Sequence, residues 1–159
     1  MTATASSTTQ INLSWTAVSG ASSYTVGRAT VTGGPYTTVG SPTTTTLADT
    51  GLNPGTTYFY VVTAVDAATT SPASAQVSAI TIPAAPTGLA ATAASASQIN
   101  LTWTSVSGAA SYTVERATVS GGPYTTVGSA ATAVSAKVVV AGEPTVAYGP
   151  PEVVARCTV

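Results

Sequence analysis

The sequence predicts an all-β chain, a tandem of β-sandwiches of which the second is incomplete or atypical. Three observations predict it: apolar residues alternate with polar ones at period 2, turn residues recur about every ten positions, and one unit occurs twice. Gln10-Ile11-Asn12-Leu13-Ser14-Trp15-Thr16 returns as Gln98-Ile99-Asn100-Leu101-Thr102-Trp103-Thr104, an offset of 88 residues. Between residues 10–40 and 98–128 only five of 31 positions differ, so the unit is duplicated, and its length suits a seven-stranded sandwich.

Within the unit, Ile11, Leu13 and Trp15 fall on one face of a strand, with Asn12 and Ser14 on the other. Tyr24 and Val26 repeat the pattern in the next strand. Gly33-Gly34-Pro35 then breaks the chain, and Tyr36 to Val39 returns as the second arm of a hairpin. Thr43 to Leu47 is a short β-branched run, and Asp49 to Gly55 carries turn chemistry. Thr56 to Val65 reads as a long strand with Tyr58, Tyr60 and Val62 on one face. Gln76 to Ile82 closes the unit, and Pro83-Ala84-Ala85-Pro86 opens a stiff, extended linker over residues 83–87.

Leu52-Asn53-Pro54-Gly55-Thr56-Thr57-Tyr58 resembles the L-x-P-x-T-x-Y corner of the fibronectin type III family. The resemblance implies an immunoglobulin-like sandwich over residues 1–82, whose Tyr58 hydroxyl bonds back to upstream backbone. It also implies structural roles for Trp15 on strand B, Tyr24 and Val26 on strand C, and Leu52, Pro54 and Tyr58 at the corner. Trp103 and Tyr112 hold the matching places in the second unit. Arg116-Ala117-Thr118-Val119-Ser120-Gly121-Gly122-Pro123-Tyr124 is similar to modules of bacterial secreted enzymes and surface proteins.

Residues 88–129 read as the first half of a second fibronectin type III-like module, after which the pattern departs. An offset of 88 places the corner residues at Val140, Gly142 and Val146, so the corner is missing. A full copy would run to about residue 169. The tail, residues 130–159, holds strand-like pieces at Ala136 to Val140, Thr145 to Tyr148 and Val153 to Val159. Two readings of it stay open: it completes the sandwich with strands foreign to the family, or it is the product of a frameshift or alternative junction.

Charge bounds the partners. Only 6% of residues are charged, against about a quarter in ordinary domains, and the net charge is −1. The four bases, Arg28, Arg116, Lys137 and Arg156, are scattered and do not neutralise a run of phosphates, so no nucleic-acid partner is expected. No run approaches the roughly 18 apolar residues of a membrane helix, so no membrane insertion is expected. Met1 leads into Thr2-Ala3-Thr4-Ala5-Ser6 without a basic or apolar region, so no secretion signal is read there.

No catalytic, cofactor or metal site is expected. The chain has no histidine, the commonest general base and metal ligand, and its many hydroxyls lack a positioned base. Asp49 and Asp66 read as turn residues capping backbone donors rather than as an acid/base pair. Residues 66–71 stand where some family members carry an integrin-binding Arg-Gly-Asp, and here they read Asp66-Ala67-Ala68-Thr69-Thr70-Ser71, so that activity does not carry over. Cys157, with no basic neighbour but Arg156, reads as a bystander thiol ahead of an intermolecular disulfide. Asn12-Leu13-Ser14 and Asn100-Leu101-Thr102 are glycosylation sequons that the bacterial likeness leaves unused. Tyr36 and Tyr124, taken as exposed, are the residues on which stacking against sugar would rest.

The function expected is a non-catalytic extracellular or cell-surface spacer or adhesive module. Its partners are other protein domains, or its own kind through sheet edges. The alternative is a carbohydrate-binding accessory module of a secreted polysaccharide-degrading enzyme.

Overall fold

The computed structural model describes residues 1–131, 136–139 and 153–158, the last two segments by their backbone alone. The chain folds as two compact units, Met1–Ile82 and Pro83–Val159, and contains no helix among the described residues.

The first unit is made of β1 (Thr2–Ala5), β2 (Gln10–Ser14), β3 (Ser23–Ala29), β4 (Thr37–Gly40), β5 (Thr46–Thr50), β6 (Thr57–Val65) and β7 (Val77–Ile80). They form two antiparallel sheets in the orders β1-β2-β5 and β4-β3-β6-β7. Alternation decides which side each strand buries. Along β6 the residues Tyr58, Tyr60, Val62 and Ala64 are all buried, and the intervening ones are less so. On β2 it is Ile11 and Leu13 that turn inward, followed by Trp15. These side chains join Tyr24, Val26 and Leu52 in one core between the sheets. Burying an Ile or Val completely contributes about 1.5–3 kcal/mol, so this interface is the main source of stability.

The turns behave as their residues require. Gly33 and Gly34 take φ of 81° and 96°, and a Cβ on Gly34 would meet the Tyr36 ring at 2.9 Å, so the hairpin needs glycine there twice over. The Ile82 N–H donates to the Ser7 carbonyl (3.2 Å), tying the end of the unit to its beginning.

One strand differs from the sequence expectation. The β-branched run of Thr43 to Leu47 is not itself the strand; β5 starts at Thr46 and runs on to Thr50, so Asp49 lies in a strand and not in a turn. The physical reason is non-local, because Asp49 is drawn into the sandwich by partners on the opposite sheet, described below.

The second unit contains β8 (Ala90–Ser95), β9 (Gln98–Thr102), β10 (Ser111–Arg116), β11 (Thr125–Ala130), β12 (Ala136–Val139) and β13 (Val153–Thr158). They form sheets in the orders β12-β9-β8 and β11-β10-β13. Leu101, Trp103, Tyr112 and Val114 build its core. Strand β12 pairs with β9 as β5 pairs with β2, and β13 pairs with β10 as β6 pairs with β3. The strand expected over Thr145 to Tyr148 lies outside the described residues. Cys157 sits on β13 opposite Tyr112.

Candidate functional site

The chemistry of the first unit is concentrated where its two sheets face each other. Arg28 on β3 lies directly opposite Tyr60 on β6, with the inward parity of Tyr24 and Val26. Its guanidinium crosses to the other sheet, where Nη1 donates to Asp49 Oδ1 (2.9 Å) and Oδ2 (3.1 Å). The Tyr60 hydroxyl donates to Asp49 Oδ2 (2.9 Å), and the Arg28 guanidinium lies 5.4 Å from the centre of the Tyr58 ring. Asp49 is only 6% exposed, so its charge is affordable in free-energy terms only through these partners. Burial, reinforced by the bond to Asp49, pushes the Tyr60 hydroxyl far above the usual phenol range, so it stays protonated and serves as a donor. This triad is a structural tie between the sheets.

Each residue expected to be structural has a definite place. Trp15 is buried and packs edge-on against Tyr24, with centroids 5.4 Å apart at 66°. Its Nε1 makes no hydrogen bond among the described residues. The Tyr24 hydroxyl accepts from the Val18 N–H (3.0 Å), and Val26 is wholly buried. At the corner the Tyr58 hydroxyl accepts from the Asn53 N–H (3.0 Å), Leu52 is buried and the Pro54 carbonyl accepts from the Thr56 hydroxyl (3.1 Å). Trp103 and Tyr112 reproduce the aromatic pair at 5.4 Å, and the Tyr112 hydroxyl accepts from the Val106 N–H (2.8 Å). Trp15, Tyr24, Val26, Leu52 and Tyr58 thus meet in one core, while Pro54 stays outside it.

The sequence placed Tyr60 on one face with Tyr58 and Val62 and showed Arg28 as a base, but it assigned neither a role, and Thr81 was not singled out. Thr81 is fully buried, its hydroxyl donating to the Asn53 carbonyl (2.6 Å) and accepting from the Thr56 N–H (3.0 Å), which locks β7 to the corner. The parity of Arg28 with Tyr24 and Val26 was the one available signal for the triad.

Tyr58→Phe is expected to destabilise the first unit by about 1 kcal/mol, since it strips the Asn53 N–H of its acceptor but keeps the ring over Arg28. Urea unfolding of the variant beside the parent measures this directly, and an unchanged midpoint would remove the corner from the stability argument.

Asp66 does cap a turn: its Oδ1 accepts from the N–H groups of Ala68 and Thr69, both at 2.7 Å, and these bonds lower its pKa. A depression of about 130 Å³ lies between this loop and residues Val18 to Ala21. Among the described residues no group of three or more His, Cys, Asp or Glu is placed to hold a metal. Tyr36 is half-buried rather than exposed. Its hydroxyl donates to Gln76 Oε1 (2.5 Å), which also accepts from the Gly33 N–H (2.8 Å), and its side chain packs against Gly27 and Gly34. Tyr124 is likewise half-buried, beside Gly122.

Two antiparallel sheets, an inter-sheet aromatic core and a tyrosine-locked corner define an immunoglobulin-like β-sandwich module. The fibronectin type III domain family matches residues 1–80, and the chain belongs to that family. Modules of this family serve binding or spacing rather than catalysis, and they are typically extracellular. Among solved structures the chain is similar to an Fn3-like protein from Clostridium thermocellum, with 45% identity over 48% of this chain and 81% of that one and a TM-score of 0.46. It is also similar to a segment of two fibronectin type III domains from chicken tenascin, with 18% identity over 99% of this chain and 97% of that one and a TM-score of 0.54; this likeness concerns the fold alone. No curated protein matches the chain. No helix among the described residues is long and apolar enough to cross a membrane.

Proposed function

We propose that the chain is a non-catalytic extracellular or cell-surface element that spaces protein domains and associates with its own kind through open sheet edges. One observation carries the association. β8, at the edge of its sheet, reads Ala90-Ala91-Thr92-Ala93-Ala94-Ser95, and all six residues are exposed. Its counterpart β1 instead buries Ala3 and Ala5 partly against the core of the first unit. An edge strand with free backbone groups and no charge is a template for another strand, because the usual guards are lysine, proline or a bulge that turns the edge away. β8 has one irregularity, between Ala93 and Ser95, and none of the charged guards.

The sugar-binding alternative draws less support from the geometry, since the Tyr36 ring is engaged by its own hairpin and its hydroxyl by Gln76.

Sedimentation tests the proposal. The full chain is expected to associate at tens of micromolar, while residues 1–82 alone remain monomeric. Thr92→Lys, which places a charge on the exposed edge, is expected to return the full chain to monomer. If the full chain sediments as a monomer, association is not its function.

A further inference from the structure

The second unit keeps one half of the ion pair that ties the first together. Arg116 ends β10 as Arg28 stands near the end of β3, within the repeated stretch of sequence. It has the parity of Tyr112 and Val114, which are buried in the core, whereas Glu115 alternates to the other face. In the first unit Asp49 lies opposite Ile11, and Tyr60 lies opposite Arg28. The matching positions, opposite Ile99 on β12 and opposite Arg116 on β13, are Val138 and Val153. Both the carboxylate and the hydroxyl are therefore gone. Arg116 Nη1 is buried and has no hydrogen-bond partner among the described residues. Withdrawing a guanidinium nitrogen from water without a partner is costly.

We propose that Arg116 anchors a docking site for an extended peptide segment that brings a carboxylate to the side of β9 where β12 pairs, displacing β12. The first unit shows the chemistry of the occupant. β9 reads Gln98-Ile99-Asn100-Leu101-Thr102 and β2 reads Gln10-Ile11-Asn12-Leu13-Ser14, so the edge that pairs with Thr46-Leu47-Ala48-Asp49-Thr50 is repeated almost unchanged. The fitting partner is a strand with an aliphatic residue two positions before an aspartate, the pair falling opposite Leu101 and Ile99. Main-chain hydrogen bonds would hold it, and the Arg116 guanidinium would select the acid. The site is separate from the β8 edge, because it is the side of β9 that β12 occupies, so it goes beyond the edge-association reading and stands without it.

The probe is a fluorescent peptide of the sequence Thr44 to Thr50, with its Asp49→Asn analogue as control, titrated into the full chain by anisotropy. The aspartate peptide is expected to bind saturably and at least tenfold more tightly than the asparagine one. Arg116→Gln in the chain is expected to abolish the discrimination. Val138→Asp supplies the carboxylate from within and is expected to abolish binding, with the second unit melting higher than in the parent. Equal affinity for the two peptides, no saturable binding, or discrimination that survives Arg116→Gln would overturn the proposal. Sedimentation of the same chains without peptide separates the two readings. Discrimination by a monomeric chain supports the Arg116 site and counts against self-association, and association without discrimination does the reverse.

Discussion

Trp15→Ala is expected to unfold residues 1–82 or leave them barely folded. The indole is buried in the core between the sheets and packs edge-on against Tyr24. Truncating a buried tryptophan costs about 3–5 kcal/mol, against a total of about 5–15 kcal/mol for a domain. The variant's melting temperature, followed by circular dichroism, checks this. A temperature within a degree or two of the parent's would mean that the sheets do not pack through Trp15.

Asp49→Asn is expected to be nearly as damaging, although it removes no volume. The amide still accepts a hydrogen bond from the Tyr60 hydroxyl, but the Arg28 guanidinium is left between the sheets without a counter-charge. Breaking a buried pair by removing one partner costs about 3–5 kcal/mol. The lower end applies, because Arg28 is 29% exposed and recovers some water. The triple variant Arg28→Met, Asp49→Leu, made together with Tyr60→Phe so that no buried hydroxyl is stranded, should regain most of the loss, since replacing both charges by apolar groups of similar size is close to neutral. Urea midpoints of the parent, the single variant and the triple variant decide the matter. A loss under about 1 kcal/mol in Asp49→Asn, or a triple variant no better than the single one, would contradict a cross-sheet ion pair.

What was legible in the sequence was local. Period 2 placed Ile11, Leu13 and Trp15 on one face, and the run from Leu52 to Tyr58 announced the corner, because both signals lie within a few consecutive residues. The triad was not legible in the same way. Asp49 precedes Thr50-Gly51-Leu52-Asn53-Pro54, and aspartate is a poor strand former, so local chemistry favoured a turn. What overrides it comes from residues 21 positions before and 11 after, which only the pairing of β3 with β6 brings together. Thr81 was hidden for the same reason, since its partners at Asn53 and Thr56 lie well upstream. In the second unit the repeat showed that Arg116 was retained. That its partners had become Val138 and Val153 is visible only from the strand register.

Calorimetry of residues 1–82 alone, beside the full chain, tests most directly that the first unit is a self-sufficient module of the kind a spacer requires. A single cooperative transition is predicted, at the temperature of the corresponding transition in the full chain. A midpoint lowered by about 4–8 °C would mean that roughly 1 kcal/mol of its stability comes from elsewhere in the chain. That shift, or the loss of a cooperative transition altogether, would contradict a module that stands on its own.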